Sequence, residues 1–301
     1  MTFLDFLEKF PTEEHIIQHF INIRYAGNVT CNHCGSDEVV RRKDKKKVFR
    51  CASCRNDFSI FKDTMFEDTY TNLRKWIYAL HLFINGKKGI SALQLQREIK
   101  GSYKTSWRML RKIREAMGNK GDVSAQFLSI VEMDETYVGG KPRKGNKKNG
   151  QPQEKHKRGR GTSKIPVIGV VSRNSQQVHA RVALPNKEGK KLTGKQLMAV
   201  LDEVVHKSAV VMTDEFTGYD FLRKKGKHVH LKVDHTKEYA QGIIHTNNIE
   251  SFWATLKRGI YGIYHHVSAQ HLQKYVNEFC FRYNNRNTNM MDLVLFQSIY
   301  K

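Results

Sequence analysis

Two pairs of cysteines set the first constraint on this chain. Cys31 and Cys34 are followed, after sixteen residues, by Cys51 and Cys54, a C-x2-C-x16-C-x2-C spacing. Two knuckles of that kind can bring four thiolates to the corners of one tetrahedron, the geometry of a structural zinc ion. Two disulfides are the alternative, and close pairs in a chain without a visible secretory leader favour metal in a reducing compartment. Four protein ligands leave no open coordination position, so a zinc ion here is structural and not catalytic. Between the knuckles, Val39-Val40 and Val48-Phe49 can pair as strands across a basic turn, which together describe a zinc ribbon. His33 falls inside the first knuckle, but the thiolates already complete the site. Arg41 and Arg42, with the lysines that follow them, can meet phosphates or stand solvated.

That basic turn is one part of a general excess. Fifty-two Lys and Arg against 29 Asp and Glu give a formal charge of +23. Such a field attracts polyanions, and counterion release makes nucleic-acid binding salt-dependent. With 39% hydrophobic residues the chain is expected to fold, and 301 residues suffice for two or three domains. A non-catalytic nucleic-acid binder would share all of these properties. No apolar run approaches a transmembrane span, and the expected location is the cytoplasm.

Two short helices, 2–10 and 12–24, are split by Pro11, with Thr12 a suitable cap for the second. Residues 71–85 place Leu73, Trp76, Ile77, Leu80 and Phe83 at helical spacing. Gly86 and Gly89 stop that helix. Ser91 caps a second one over 92–99, and a turn at 100–103 leads to a third from about Ser106 to Met117. Short helix, glycine-containing turn and basic helix outline a helix-turn-helix. In that reading Lys104, Arg108, Arg111 and Lys112 contact groove and phosphates, while Trp107, Leu110 and Ile113 are core. An ordinary three-helix bundle has the same outline.

Beyond a linker near 118–125 the pattern changes. Strands are expected at 129–138, 165–172 and 177–184, a helix at 193–205, a strand at 209–213 ending on Asp214-Glu215, a short helix near 219–224 and a strand at 228–233. A helix then opens near Asn247. Three strands, helix, strand, helix, strand, helix is the order of a ribonuclease-H-like α/β fold. In it the first strand, the end of the fourth strand and the late helix converge on one sheet edge, and those positions hold Asp134, Asp214 and Glu250. Three carboxylates can bind two Mg²⁺ ions, which activate an attacking oxygen and stabilise a leaving one at phosphorus. Taken singly, each is more often a surface or capping acid. Lys257 lies seven residues after Glu250, about 10 Å along the axis and close to the same face, where an ammonium can hold a phosphate.

Neighbouring groups are less defined. Glu132 shares a strand face with Asp134 and either assists metal or is simply a strand acid, whereas Glu135 faces the other way. Glu215 reads as a turn residue. His245 and Asn247 can touch DNA, but Asn247 or Asn248 is the natural helix cap. Residues 141–164 carry ten Lys and Arg and one acid. They read as a mobile loop in which Arg143, Lys144, Arg158 and Arg160 can grip phosphate, or which merely solubilises. Arg258, Tyr261 and His265 form a basic-aromatic patch able to stack on splayed bases, although Tyr261 can equally be half-buried. The last expected helix runs over 269–283, with Cys280 in its core.

The segments EMDETYVGGK, TDEFTGY and HTNNIESFWATLKRGIYGIYHHVS, followed by FRYNNR, resemble bacterial insertion-sequence transposases of the zinc-ribbon, ISXO-like group. The similarity begins at the N-terminal FPTEE and covers nearly the whole chain. It implies an RNase-H-like domain with a DDE triad: Asp134 in MDETY, Asp214 in TDE and Glu250 in NNIESFW, with Lys257 as the basic residue that follows. It also implies Mg²⁺ or Mn²⁺ as two catalytic ions beside the structural Zn²⁺. Terminal repeats and target DNA would be the partners, a homodimer or larger assembly would act on them, and the setting would be a bacterial nucleoid. The expected organisation is therefore multidomain α+β. Residues 1–66 form the N-terminal helices and ribbon, 67–120 the helix-turn-helix, and 121–301 a catalytic domain with a mixed five-stranded sheet. A nuclease or resolvase that cuts without joining, and a domesticated DNA-binding regulator, are the alternatives.

Overall fold

A strand rich in β-branched residues and apolar on both faces belongs at the centre of a sheet; residues 165–172 are of that kind, whereas 130–138 share the β-branched bias but carry Glu132, Asp134 and Glu135. The computed structural model describes residues 2–118, 127–140, 164–184, 192–214, 219, 228–232 and 245–299. The chain divides into two compact units, Met1–Gly121 with Asn287–Lys301, and Asp122–Arg286.

In the first unit, α1 (Phe3–Lys9) starts on a capping box, in which Thr2 and Asp5 satisfy each other's amides. Helix α2 (Glu13–Tyr25) follows Pro11. The Thr12 side chain bonds His15 Nδ1 (2.8 Å) and no helix amide, and Glu13 accepts from the Leu73 amide at 3.0 Å, which ties α2 to the start of α3. Strands β1 (Val39–Arg41), β2 (Val48–Cys51) and β3 (Asp57–Ser59) form an antiparallel ribbon in the order β1-β2-β3. The pairing of β1 with β2 is the one read from the sequence; β3 is additional. Helices α3 (Leu73–Asn85), α4 (Ala92–Ile99) and α5 (Tyr103–Met117) begin on Asn72, Ser91 and Ser102, each accepting a bond from an amide of its own first turn. Lys100 ends α4 in the left-handed region (φ 49°), where the chain turns toward α5.

The second unit holds a five-stranded sheet. Its strands are β4 (Ile130–Val138), β5 (Ile165–Ser172), β6 (Gln177–Val182), β7 (Val210–Thr213) and β8 (Val229–Lys232), arranged β6-β5-β4-β7-β8. The first three strands are antiparallel, and β7 and β8 join β4 in parallel. This is the mixed sheet of a ribonuclease-H-like domain, and the chain is multidomain α+β. Helix α6 (Gly194–Val204) covers one face, packing Leu197 and Leu201 with Val131, Met133, Ile168 and Val170. Helix α7 (Asn247–Gly259) covers the other, where Ile249, Phe252, Trp253 and Leu256 meet Val138, Val167 and Val171. Period-two alternation therefore turns Glu132 and Asp134 toward α7. Helix α7 runs into one π-helical turn, Ile260–Tyr264, before α8 (Ala269–Asn284).

Two differences from the sequence reading stand out. A further helix, α9 (Met290–Ile299), packs on α5 and α3, so residues after 286 belong with the first unit and not with the sheet, to which the reading of 121–301 assigned them. Its run MMDLVLFQSI is apolar on nearly every side and so carries no one-sided period to read. The basic loop, the 118–125 linker and the short helix near 219–224 fall outside the described residues except for Gly118, Lys164 and Tyr219. Among the described residues no helix is long and apolar enough to cross a membrane.

Candidate active site and zinc centre

The zinc centre assembles from the two ends of the ribbon. The Sγ atoms of Cys31, Cys34, Cys51 and Cys54 all lie within 4.8 Å of one another. Cys31–Cys54 and Cys34–Cys51 are each 3.6 Å apart, close to the edge of about 3.8 Å in a tetrahedron with 2.3 Å Zn–S bonds. Amides inside the knuckles point at sulfur, His33 N at Cys31 (3.4 Å) and Cys54 N at Cys51 (3.5 Å). The Cys54 amide foremost lowers the Cys51 thiol, while burial and the neighbouring sulfurs raise that of Cys34, as thiols sharing one site do. This donor set fits a structural zinc ion.

The acids come from three elements. Asp134 lies mid-strand in β4, opposite Gly169 of β5. Its Oδ2 accepts from the indole Nε1 of Trp253 on α7 at 3.1 Å. Strand β7 pairs Met212 with Glu132 and ends at Thr213; Asp214 follows directly, near enough for its charge to act on Asp134. Burial first, then the charges of Glu135 and Asp214, push the Asp134 carboxyl up to about 7. Clustered acids behave in this way when no cation offsets them. Glu250 is exposed on the first turn of α7 and accepts from the Thr246 hydroxyl at 3.0 Å. Lys257, half-buried two turns along, has its pKa lowered by burial while the Asp134 charge acts to raise it. Lys164, next to the strand end at Gly139, acts on Lys257 in the opposite sense.

Glu250, Trp253 and Lys257 stand at i, i+3 and i+7 on one stripe of α7; Trp253 bonds Asp134, and Lys257 feels its charge. Among the described residues only the cysteines gather three or more metal-ligating atoms within 4.8 Å; the three acids are spread more widely.

Other groups occupy places the sequence could not reveal. Glu132 is fully buried and accepts from the amides of Asn248 and Ile249, the Asn248 side chain and Arg173. Asn247 and Asn248 are therefore the first residues of α7 and not its side-chain cap. Gly169 lets the Trp253 ring lie on β5, since a Cβ there would come within 2.6 Å of the ring. Glu135, on the opposite face, accepts from buried Tyr219 at 2.8 Å. No local signal marks these residues, because each partner lies far away in the chain.

The candidate DNA contacts divide. Lys104, Arg108 and Arg111 sit on the exposed side of α5; Arg111 bonds Glu115 at 3.0 Å and lies 5.8 Å from the Trp107 ring. Lys112 instead donates to the Glu67 carbonyl at 3.2 Å, and burial lowers its pKa. Arg41 forks onto Glu14, and Arg42 holds Asp44 and Asp57, so both guanidiniums are already engaged by carboxylates. Arg258 and His265 are exposed. The Tyr261 hydroxyl accepts from the Gly139 amide (3.3 Å) and donates to its carbonyl (3.2 Å), holding the end of β4. Arg143, Lys144, Arg158 and Arg160 lie outside the described residues.

The model of the ISXO2-like transposase domain matches residues 126–284, more than half of the chain, and that of a transposase zinc-ribbon domain matches 11–57. The chain belongs to the ISXO2-like transposase family. Among relatives of this transposase, an uncharacterized protein in transposable element ISH50 of Halobacterium salinarum is 29% identical over 286 residues, 92% of either chain. An uncharacterized transposase-like protein of Haemophilus influenzae is 26% identical over 103 residues, 34% of this chain and 82% of that one. Solved structures are more distant. The simian T-cell lymphotropic virus intasome in complex with PP2A regulatory subunit B56 gamma shares 12% identity at TM-score 0.34, covering 64% of this chain and 65% of its own. The Mos1 transposase paired-end complex with left transposon end shares 13% at TM-score 0.30, covering 75% and 74%. Scores of this size add nothing to the topology described above.

Proposed function

We propose that this transposase binds the terminal repeats of its element and catalyses divalent-metal-dependent strand cleavage and strand transfer into target DNA. Asp134, Asp214 and Glu250 are the acids that hold the metal. The observation that carries this reading is the Trp253–Asp134 bond, which ties to Asp134 the stretch of α7 that lies between Glu250 and Lys257, while Asp214 follows the neighbouring strand. Two Mg²⁺ or Mn²⁺ ions bound there would supply the Lewis acidity for in-line displacement at phosphorus.

The residues themselves do the rest. Lys257 contacts a phosphate beside the reacting one and offsets its growing negative charge. The exposed Lys104, Arg108 and Arg111 of α5 carry end binding, with Arg258, Tyr261, His265 and the basic segment 141–164 closer to the cut. The zinc ribbon (1–66), helix-turn-helix (67–120) and RNase-H-like region from 121 divide the work in that order. The protein acts as a dimer or larger assembly, because two DNA ends must be joined to one target.

The test offers a labelled, pre-cleaved element end and supercoiled plasmid to the full chain, with Mg²⁺ or EDTA. Joined product that needs Mg²⁺ and disappears in Glu250→Gln supports the reading. End binding without joining, in Mg²⁺ and in Mn²⁺, would refute strand transfer.

A further inference from the structure

We propose that Glu132 is a positioning residue that fixes the register between the strand carrying Asp134 and the helix carrying Glu250. The inference rests on the reading of those two acids as metal ligands.

A carboxylate with no exposed surface is tolerated only when its lone pairs are filled. Those of Glu132 are filled by one construction. Its Oε2 accepts from the backbone amides of Asn248 (2.9 Å) and Ile249 (3.1 Å), two of the donors that a helix leaves free at its N-terminus. Its Oε1 accepts from the Asn248 side-chain amide (2.7 Å) and from Arg173 Nε (2.6 Å), with His245 Nδ1 at 3.4 Å. Arg173 also donates from Nη2 to the His245 carbonyl at 2.7 Å, so one guanidinium binds both the carboxylate and the backbone that leads into α7.

For its first-turn amides α7 has one long local side-chain acceptor, His245 Nδ1, 3.4 Å from the Asn247 amide. Thr246 stands at the N-cap position without bonding a helix amide, and its hydroxyl goes to Glu250. The amides of Asn248 and Ile249 are capped from the sheet instead. A negative charge at that end is also favoured by the helix dipole. Glu132 precedes Asp134 by two residues on the same strand face, about 6.6 Å, and Asn248 precedes Glu250 by two residues on the helix. Any slide of α7 along β4 would break the three bonds from Asn248 and Ile249 together, so the spacing of the two acids is set from behind them. With its acceptor positions turned to protein donors, Glu132 has none left for a metal ion, which separates it from the acids it places.

The experiment uses the full chain with zinc retained, at a temperature where each variant is folded by circular dichroism. Glu132→Gln and Asn248→Ala are compared with wild type in the joining assay across a Mg²⁺ titration, and in end binding by gel shift. Glu132→Gln is expected to lower the joining rate about 10–100-fold, the usual effect of losing a group that orients metal ligands. It should also raise the Mg²⁺ needed for half-maximal rate and leave end affinity unchanged. Asn248→Ala, which removes one of the bonds and keeps the charge, should shift both quantities in the same direction by less, and carries the test if Glu132→Gln does not fold. A role in stability alone would leave rate and Mg²⁺ curve at wild-type values in the folded variants, and that result overturns the proposal. Complete loss in Glu132→Gln at every Mg²⁺ and Mn²⁺ concentration would make Glu132 a ligand and also overturns it. Asp134→Asn and Glu250→Gln run alongside: joining retained in either refutes the acid reading itself, whereas joining lost in both with Glu132→Gln at wild-type level refutes only the positioning role.

Discussion

Trp253 donates its indole N–H to Asp134 Oδ2 across 3.1 Å, from a helix turn that lies between Glu250 and Lys257. The bond fixes which way the first acid's carboxylate faces. Trp253→Phe keeps most of the apolar contact with β5 and deletes only the donor. A hydrogen bond to a charged acceptor contributes about 1.5–3 kcal/mol, so the joining rate should fall roughly tenfold or more while end binding is unchanged. Single-turnover joining of a pre-cleaved end, with gel shifts alongside, measures both.

Gly169 exists for the same contact. A Cβ there would stand 2.6 Å from two Trp253 ring carbons and 3.0 Å from Ile249 Cδ1. Gly169→Ala must push the ring off β5, at about 1–3 kcal/mol for overpacking. Urea denaturation should show that loss in the single variant and less of it beside Trp253→Leu, because neighbouring changes couple. Additive losses would place the strain elsewhere.

How much of this was legible depends on the range of the interaction. Ala92–Ile99 and Ile165–Ser172 have the bounds that their periodicity and composition suggest, because caps, turns and alternation are local. Asp134, Asp214 and Glu250 could be proposed as a group because element order puts them on the first strand, after the fourth strand and on the late helix of the sheet unit. Glu132 could not be resolved between ligand and strand acid, since its amide partners lie 116 and 117 residues away. Arg41 looked available to phosphate for the same reason: its partner Glu14 is 27 residues distant. Helix α9 was missed on different grounds, being apolar on nearly every side.

The raised pKa of Asp134 has a sign that can be measured. Burial, with help from Glu135 and Asp214, takes the carboxyl from 3.8 to about 7. The folded chain therefore holds that proton more tightly than the unfolded chain, and stability falls as pH rises from about 4 through 7. With zinc in place and no added Mg²⁺, wild type should melt lower at pH 8 than at pH 6. Asp134→Asn should flatten that decline and raise the pH 8 midpoint by about 2–4 °C for each kcal/mol recovered. Added Mg²⁺ should do the same for wild type, by compensating the charge. A pH-independent difference between the two proteins would contradict the shift.

The four sulfurs predict one zinc ion per ribbon, bound as thiolate. Cys34→Ser or Cys51→Ser should remove it, as read by elemental analysis of the purified chain, and should lower the melting temperature, since metal binding in such a module is part of its folding energy. Cys280, outside the ribbon and with its thiol pushed up to about 12 by burial, should be replaceable by Ala with the zinc content intact.

Arg108 and Lys112 stand one turn apart on α5 and should separate in a salt titration. Arg108 is exposed on the side shared with Lys104 and Arg111, whereas Lys112 is half-buried and donates to the Glu67 carbonyl. If Arg108 meets a phosphate of the element end, Arg108→Ala should weaken binding and reduce the slope of log K against log salt by about 1. Lys112→Ala should leave the slope unchanged and instead lower the denaturation midpoint, by about 1 kcal/mol for one side-chain-to-carbonyl bond. Equal slopes for wild type and Arg108→Ala would move the DNA-contacting face away from α5. A reduced slope in Lys112→Ala would mean that the lysine leaves Glu67 when DNA binds.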